Sequence, residues 1–279
     1  MFNEISPEVG EIDEAALDAQ LDEDPDATLA TLARMTRATD RALRELAKRL
    51  AGQLFLDLAR EHRADDRGIG KIASRPYRPE GDLDLDASLE PLLDARARNE
   101  AVDVESLRVT TWAAPSTAWC LLVDRSGSMN GEPVATAAMA AAAVVQRARP
   151  ECAVLSFGRD VVACTAMWEH HDPDDVIDRV LALRGHGTTD VARALAAARE
   201  QLLASAAQRR VTILLSDCRA TEPGDVQAAA RALDELVIIA PEGDAAEAAE
   251  LAGQVGARWT TASGPAGIVA AIDRVLARG

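Results

Sequence analysis

The chain has 279 residues, 48% of them hydrophobic, which is enough to bury a sizeable core and excludes a wholly disordered polymer. Its 30 Lys and Arg against 46 Asp and Glu leave a formal charge of -16. A phosphate backbone or an anionic membrane surface would repel such a chain, so neither is expected as its main partner; cations and basic protein surfaces match it better.

Residues 1–26 are acidic and poor in aromatics, the composition of a mobile tail or a weak helix. This opening lacks the basic and apolar regions of a secretory signal, and no later stretch reaches the roughly 18 apolar residues of a membrane span, so the expected address is cytoplasmic. Residues 27–64 form a helical segment: Ala27 to Arg63 carries Leu43, Leu46, Leu50, Leu54 and Leu58 on one stripe, to be packed on the chain's own domain or offered to another protein.

Residues 65–115 form a connector and an extended preface. Arg67, Lys71, Arg75 and Arg78 make the connector basic, in keeping with a solvated linker. Gly68-Ile69-Gly70-Lys71 lacks the spacing, the following Ser or Thr and the preceding strand of a phosphate loop, so no nucleotide is expected there. Asp82, Asp84 and Asp86 alternate as at the start of a calcium loop. However, Ala87 stands where Gly is needed and Leu93 where Glu is needed, and the aspartates are expected to cap a helix over Ser88 to Ala97. Val102 to Trp112 reads as extended.

From residue 116 to 279 short apolar runs alternate with helical segments. Strands are expected at Trp119 to Val123, Cys152 to Phe157, Val161 to Met167, Val211 to Ser216, Leu236 to Ala240 and Ala257 to Thr261. Helices are expected at Pro133 to Arg147, Pro173 to Leu183, Thr189 to Ala204, Gly224 to Leu233, Asp244 to Gln254 and Pro265 to Ala277. This is the pattern of an α/β, doubly wound, mostly parallel sheet with helices on both faces. Cys120, Cys152, Cys164 and Cys218 lie far apart with no C-x-x-C pair and read as buried fillers. His170, His171 and His186 read as surface or loop residues, and Trp112, Trp119, Trp168 and Trp259 as core or edge packing.

Chemistry concentrates on three segments. Asp124-Arg125-Ser126-Gly127-Ser128-Met129 lies between the first of these strands and an alanine-rich helix, so one carboxylate and two hydroxyls converge on a strand-to-helix turn. Gly185-His186-Gly187-Thr188-Thr189-Asp190 is a glycine-bearing loop ahead of a helix, and Leu214-Leu215-Ser216-Asp217 is a strand ending in a carboxylate. Ligands of open parallel sheets sit beyond the carboxyl ends of the strands, where Asp124 and Asp217 both fall. Oxygen donors from three loops suit magnesium, which keeps part of its water. A hydrolase or phosphotransferase using Asp124 as nucleophile is the competing class. Ser126 stands where the haloacid-dehalogenase-like pattern has a second Asp, and the nearby cation is Arg125 rather than a lysine.

These segments resemble the von Willebrand factor A (VWA) domain and its metal-ion-dependent adhesion site: D-x-S-x-S, then a threonine, then an aspartate after a later strand. The resemblance covers roughly residues 116–279. It implies Ser126, Ser128 and a loop threonine as direct ligands of Mg2+ or Mn2+, with Asp124 and Asp217 close by, often through water. The threonine is Thr189, which precedes Asp190-Val191 and Ala194-Leu195, or its neighbour Thr188. Gly81 to Leu89 is similar to the segment ahead of the VWA domain in the intracellular branch. That branch includes CoxE-like proteins and the D subunit of magnesium chelatase, which work beside MoxR-type AAA+ ATPases. The resemblance implies a non-catalytic adaptor or co-chaperone of such an ATPase in remodelling, maturation or metal insertion of a client protein, with a partner's Asp or Glu completing the metal shell. A self-assembling structural adhesion protein is the other reading it leaves open.

Overall fold

The structure is a computed structural model in which residues 5–6, 12–38, 41–61, 71–77, 82–98, 101–113, 116–127, 131–147, 151–169, 172–185 and 187–276 are described. The chain divides into two compact units, Met1–Ala64 with Thr117–Gly279, and Asp65–Ser116.

The acidic opening supplies helix caps. Asp13 accepts from the backbone N–H of Ala15 and Ala16 at the start of α1 (Glu14–Glu23), and Asp24 accepts from Ala27 at the start of α2 (Pro25–Met35), where Pro25 fits the first turn. Ile5 and Leu17 are buried in the core of the larger unit, so the described part of this segment is folded onto the domain and is not a tail. The single helix expected over Ala27 to Arg63 is two, α2 and α3 (Arg41–Glu61). The break follows Thr36, whose hydroxyl donates to the carbonyl of Ala33 and satisfies the end of α2.

The smaller unit holds β1 (Lys71–Pro76), β2 (Asp82–Leu83), α4 (Leu85–Arg98) and β3 (Arg108–Ala113), an antiparallel sheet in the order β1-β3-β2 beside one helix. Asp84 accepts from the N–H of Ala87 at 3.1 Å and so takes the capping role expected of the aspartate run, but the helix starts at Leu85 rather than Ser88, with Asp82 in β2 and Asp86 in the first turn of α4. Ser88, fully buried, both accepts from the N–H of Arg108 and donates to its carbonyl, fixing α4 to β3. A 3-10 turn at Val104–Ser106 interrupts the extended segment expected over Val102 to Trp112, because the Ser106 hydroxyl donates back to the carbonyl of Asp103.

The larger unit continues with β4 (Thr117–Asp124), α5 (Glu132–Arg147), β5 (Cys152–Phe157), β6 (Val161–Thr165), α6 (Pro173–Leu181) and α7 (Val191–Leu203). Then come β7 (Arg209–Leu215), α8 (Val226–Arg231), β8 (Glu235–Pro241), α9 (Ala246–Val255), β9 (Arg258–Ala262) and α10 (Gly264–Leu276). The six-stranded sheet runs β6-β5-β4-β7-β8-β9, all parallel except the edge strand β6, which is the doubly wound class expected from the sequence. Alternate residues serve opposite faces. Trp119, Leu121 and Val123 of β4 join α5, α6 and α10, whereas Ala118, Cys120 and Leu122 join the buried residues of α7, α8 and α9. β6 stops at Thr165, short of the expected Met167; the following turn leaves Trp168 69% exposed, against the expectation of packing. All four cysteines are free and buried, as read from their surroundings.

The alanine run of α5 has a structural cause. Of its residues from Val134 to Val145, all but Thr136 are at most 1% exposed, because the sheet covers one side, α2 and α3 cover the other, and α6 and α10 pack along it as well. Small side chains let two helices and a sheet approach a common axis without overpacking. The seam of α3 is correspondingly Ala47, Ala51 and Phe55, with Leu50, Leu54 and Leu58 of the leucine stripe half-buried along its flank; the side chain of Leu43 lies outside the described residues. Arg37 fastens the same layer by donating its guanidinium to the carbonyls of Leu181 and Leu183 at the end of α6.

Candidate metal centre

β4 and β7 are neighbours whose connections leave in opposite directions, so their carboxyl ends form the switch point of the sheet, where such folds bind ligands. Asp124 closes β4, and its Oδ1 accepts from the N–H of Ser126 at 2.9 Å, which curls the loop back over the strand end. Its Oδ2 accepts from the hydroxyl of Ser216 at 2.6 Å, across the gap to β7. Ser216 Oγ in turn accepts from the N–H of Cys218, so one buried serine orients Asp124 and holds the loop that carries Asp217. The Oδ1 of Asp217 accepts from the N–H of Arg219, and that guanidinium lies between Asp244 and Glu247.

The threonine loop is stitched to the same region. Thr189, 3% exposed, receives a hydrogen bond from Thr221 N–H on its carbonyl, while its own N–H donates to Thr221 Oγ1 at 2.7 Å. The Thr188 hydroxyl donates to the carboxylate of Glu222 at 2.5 Å and is thereby engaged. Asp190 caps α7 through the N–H of Arg193.

Asp124, Ser126 and Asp217 thus open on one cavity of about 620 Å3, which extends past Glu132 and Asp26 to Gly264. Thr189 lies on an adjoining loop and does not line that cavity; Ser128 and His186 lie outside the described residues, as do His170 and His171. Ser216, Thr221 and Glu222 were not singled out as site residues from the sequence. The only signal for Ser216 is a hydroxyl at the end of an apolar strand, immediately before the carboxylate.

The donor chemistry fits a hard cation. Burial pushes the Asp124 carboxyl above its ordinary range; hydrogen bonds from Ser216 and Ser126 oppose this, and the neighbouring Asp217 adds to it. A bound cation would supply the charge that this half-buried carboxylate lacks. Among the described residues no three His, Cys, Asp or Glu side chains converge as a metal cluster, so the donors available are hydroxyls and a carboxylate pair rather than nitrogen or sulfur. Burial pushes the thiol of the neighbouring Cys218 up to about 12, which keeps it protonated at neutral pH.

Cys218 also has a backbone φ of 65°, in the left-handed region. A β-carbon is strained there whatever follows it, so Cys218→Gly is expected to be more stable than Cys218→Ala by about 1 kcal/mol, measured by urea unfolding. At the far end of the cavity Asp26 accepts from the N–H of Ala266 at 2.8 Å, capping α10 from α2. Gly264 has φ 75°, and a β-carbon there would lie 2.8 Å from the Asp26 carboxylate carbon. Gly264→Ala is therefore expected to destabilise by about 2 kcal/mol, and Asp26→Ala by about 1 kcal/mol through loss of the cap, both read from chemical denaturation.

A family model described as VWA domain containing CoxE-like protein matches residues 30–253. The chain belongs to the CoxE-like VWA family. The match begins inside α2 and ends inside α9, so in this CoxE-like chain it takes in α3 and five of the six strands of the larger sheet, β4 to β8. Among solved structures, proximal thread matrix protein 1 from the mussel byssus is 16% identical with a TM-score of 0.50, over 58% of this chain and 47% of its own. An aerotolerance-related membrane protein from Bacteroides fragilis is 14% identical with a TM-score of 0.47, over 58% of this chain and 99% of its own. A von Willebrand factor type A protein from Catenulispora acidiphila is 18% identical with a TM-score of 0.46, over 58% and 42%. The CoxE-like chain thus spans less than half the length of the mussel and Catenulispora proteins, and the likeness concerns the fold. Among curated proteins, none matches the chain. Among the described residues no helix is long and apolar enough to cross a membrane.

Proposed function

We propose that this CoxE-like protein is a magnesium-dependent interaction module, an adaptor or co-chaperone of a MoxR-type AAA+ ATPase in the cytoplasm, which helps remodel, mature or insert metal into a client protein. The family assignment supports a VWA protein-interaction module as the general role. The observation that carries the metal dependence is the convergence of Asp124, Ser126 and Asp217 on one open cavity at the switch point. Ser126, Ser128 and Thr189 would hold Mg2+ or Mn2+, with Thr188 as the alternative to Thr189 and with Asp124 and Asp217 beside them. When bound, the cation supplies an electrophilic centre that accepts an oxygen donor. Neutral hydroxyls leave that centre short of negative charge, so an Asp or Glu of the partner can complete its shell.

The chain's own residues do the positioning. Ser216 and the N–H of Ser126 hold both oxygens of Asp124, and Thr221 holds the threonine loop against the Asp217 loop. The bridging ion lets two carboxylate-bearing surfaces meet that would otherwise repel, which suits a protein of charge -16. This is a binding device; no catalytic step is assigned to it. The test is co-purification of the full chain with a MoxR-type ATPase in magnesium, in chelator and with Asp124→Asn. Capture in magnesium alone, lost in the variant, is expected; equal capture in all three conditions would refute the metal bridge.

A further inference from the structure

The helix α4 is apolar on the wrong side. Its fully buried side chain is Ser88, tied to Arg108 of β3, while Leu85, Leu89 and Leu93 are 65%, 53% and 56% exposed. Spaced by four, these leucines form one ridge of about 12 Å along two helical turns. An amphipathic helix ordinarily spends its leucines on its own core, and a contiguous exposed ridge marks a surface that meets something else.

The border of the ridge selects the partner. Asp86, Glu90 and Asp94 are exposed and follow the leucines along the side turned away from Ser88; Asp94 shares its charge with Arg98 at 3.4 Å in a pair exposed on both sides, which leaves Asp86 and Glu90 as the acidic centre of the row. A second copy packed antiparallel on this ridge would set the carboxylate row against its own image, and the two chains would each carry -16. A helix with apolar residues at the same spacing and Lys or Arg beside them would instead bury the ridge and pair with the row. We propose that the exposed Leu85-Leu89-Leu93 ridge of α4, bordered by Asp86, Glu90 and Asp94, is a docking site for a basic amphipathic helix of a partner protein. This contact lies in the smaller unit, uses no metal donor, and stands independently of the metal bridge.

The test uses the full chain and three fluorescent synthetic helices: one with leucines at i, i+4 and i+8 flanked by lysines, one with the lysines replaced by glutamates, and one with the leucines replaced by serines. Saturable binding of the first in chelator, with little binding of the other two, is expected. L85S/L89S/L93S should weaken it about tenfold or more, and D86K/E90K/D94K should move the preference to the glutamate helix. Because all six side chains are exposed, the serine variant should keep the parent's unfolding transition, and the lysine variant should lose only the small contributions of the exposed Asp94–Arg98 pair and of Asp86 in the first turn. Binding of the serine helix as tight as that of the leucine helix would reduce the effect to charge alone and overturn the proposal. So would unchanged binding by the serine variant, or a dimeric parent made monomeric by it, which would assign the ridge to a second copy.

Discussion

A chain lacking residues 1–64 is expected to show no cooperative thermal transition and to bind a hydrophobic dye. The deletion strips α2 and α3 from α5, and α5 has no polar face to offer water: from Val134 to Val145 it is buried all round apart from Thr136. It also removes Leu29, Leu32, Met35 and Phe55, none more than 1% exposed. At about 1.5–3 kcal/mol each, burial of these four contributes on the order of 6–12 kcal/mol, comparable with the whole stability of a domain. The caps that this segment lends to its neighbours, Asp26 on α10 and Arg37 on α6, go with it. Phe55→Ala is the graded version, expected to lower stability by about 3–5 kcal/mol in a chain that still folds. A sharp melt of the truncated chain within a few degrees of the parent would show the outer helices to be dispensable.

The sheet was legible because its signal is local. Each strand is a short apolar run that ends in a polar or glycine-bearing loop, and Asp124 and Asp217 stand directly after two such runs, so their place at one sheet edge followed from chain order alone. The outer layer was not legible. A helix buried on both sides loses the polar stripe by which amphipathicity is recognised, so the alanines of α5 marked a helix without disclosing what covers it. The leucine stripe of α3 pointed to a packing face, yet the close contact runs through Ala47 and Ala51, which hydropathy ranks low but which permit a short interhelical distance. The break after Thr36 carries no glycine or proline, and a threonine hydroxyl turned back on its own helix has no signature distinct from a threonine within one.

Around the cavity, the carboxylates and the Ser126 hydroxyl stand out in the sequence, whereas the groups that hold them do not. Asp124, Ser126 and Asp217 were marked by type and spacing, whereas Ser216 acts through a hydrogen bond between strands that only the β4–β7 neighbourhood creates. Thr221 and Glu222 likewise become partners of Thr189 and Thr188 only once two loops are brought together by the fold. Spacing marks a set of oxygen-bearing side chains along the chain; the groups that orient them come from wherever the topology places a neighbour.

Asp124→Asn is expected to move stability in opposite directions with and without magnesium. In chelator the parent holds a carboxylate pushed upward by burial and by Asp217, with hydrogen bonds from Ser126 and Ser216 opposing it. Asparagine has the same shape and its Oδ1 can still accept from the Ser126 N–H; its Nδ2 cannot accept from the Ser216 hydroxyl, but the side chain carries no charge to desolvate or to repel Asp217, and the metal-free variant is expected to unfold at a higher temperature than the metal-free parent. In magnesium the order reverses. A ligand that binds only the folded chain stabilises it by about 2.7 kcal/mol at 100 times its dissociation constant, and with Mg2+ held beside Asp124 as proposed the variant is expected to forfeit most of this, because a neutral amide would replace the carboxylate. Thermal unfolding of both proteins in magnesium and in chelator reads the four values together. A variant that kept the full magnesium shift would remove Asp124 from the metal site. A variant less stable than the parent in chelator would instead show that the hydrogen bonds of the carboxylate outweigh its burial, and that Asp124 is held in place by the fold rather than tolerated for the cation. The crossing of the two curves separates a residue kept for its ligand from one kept for its scaffold, since a purely structural substitution shifts both in the same direction.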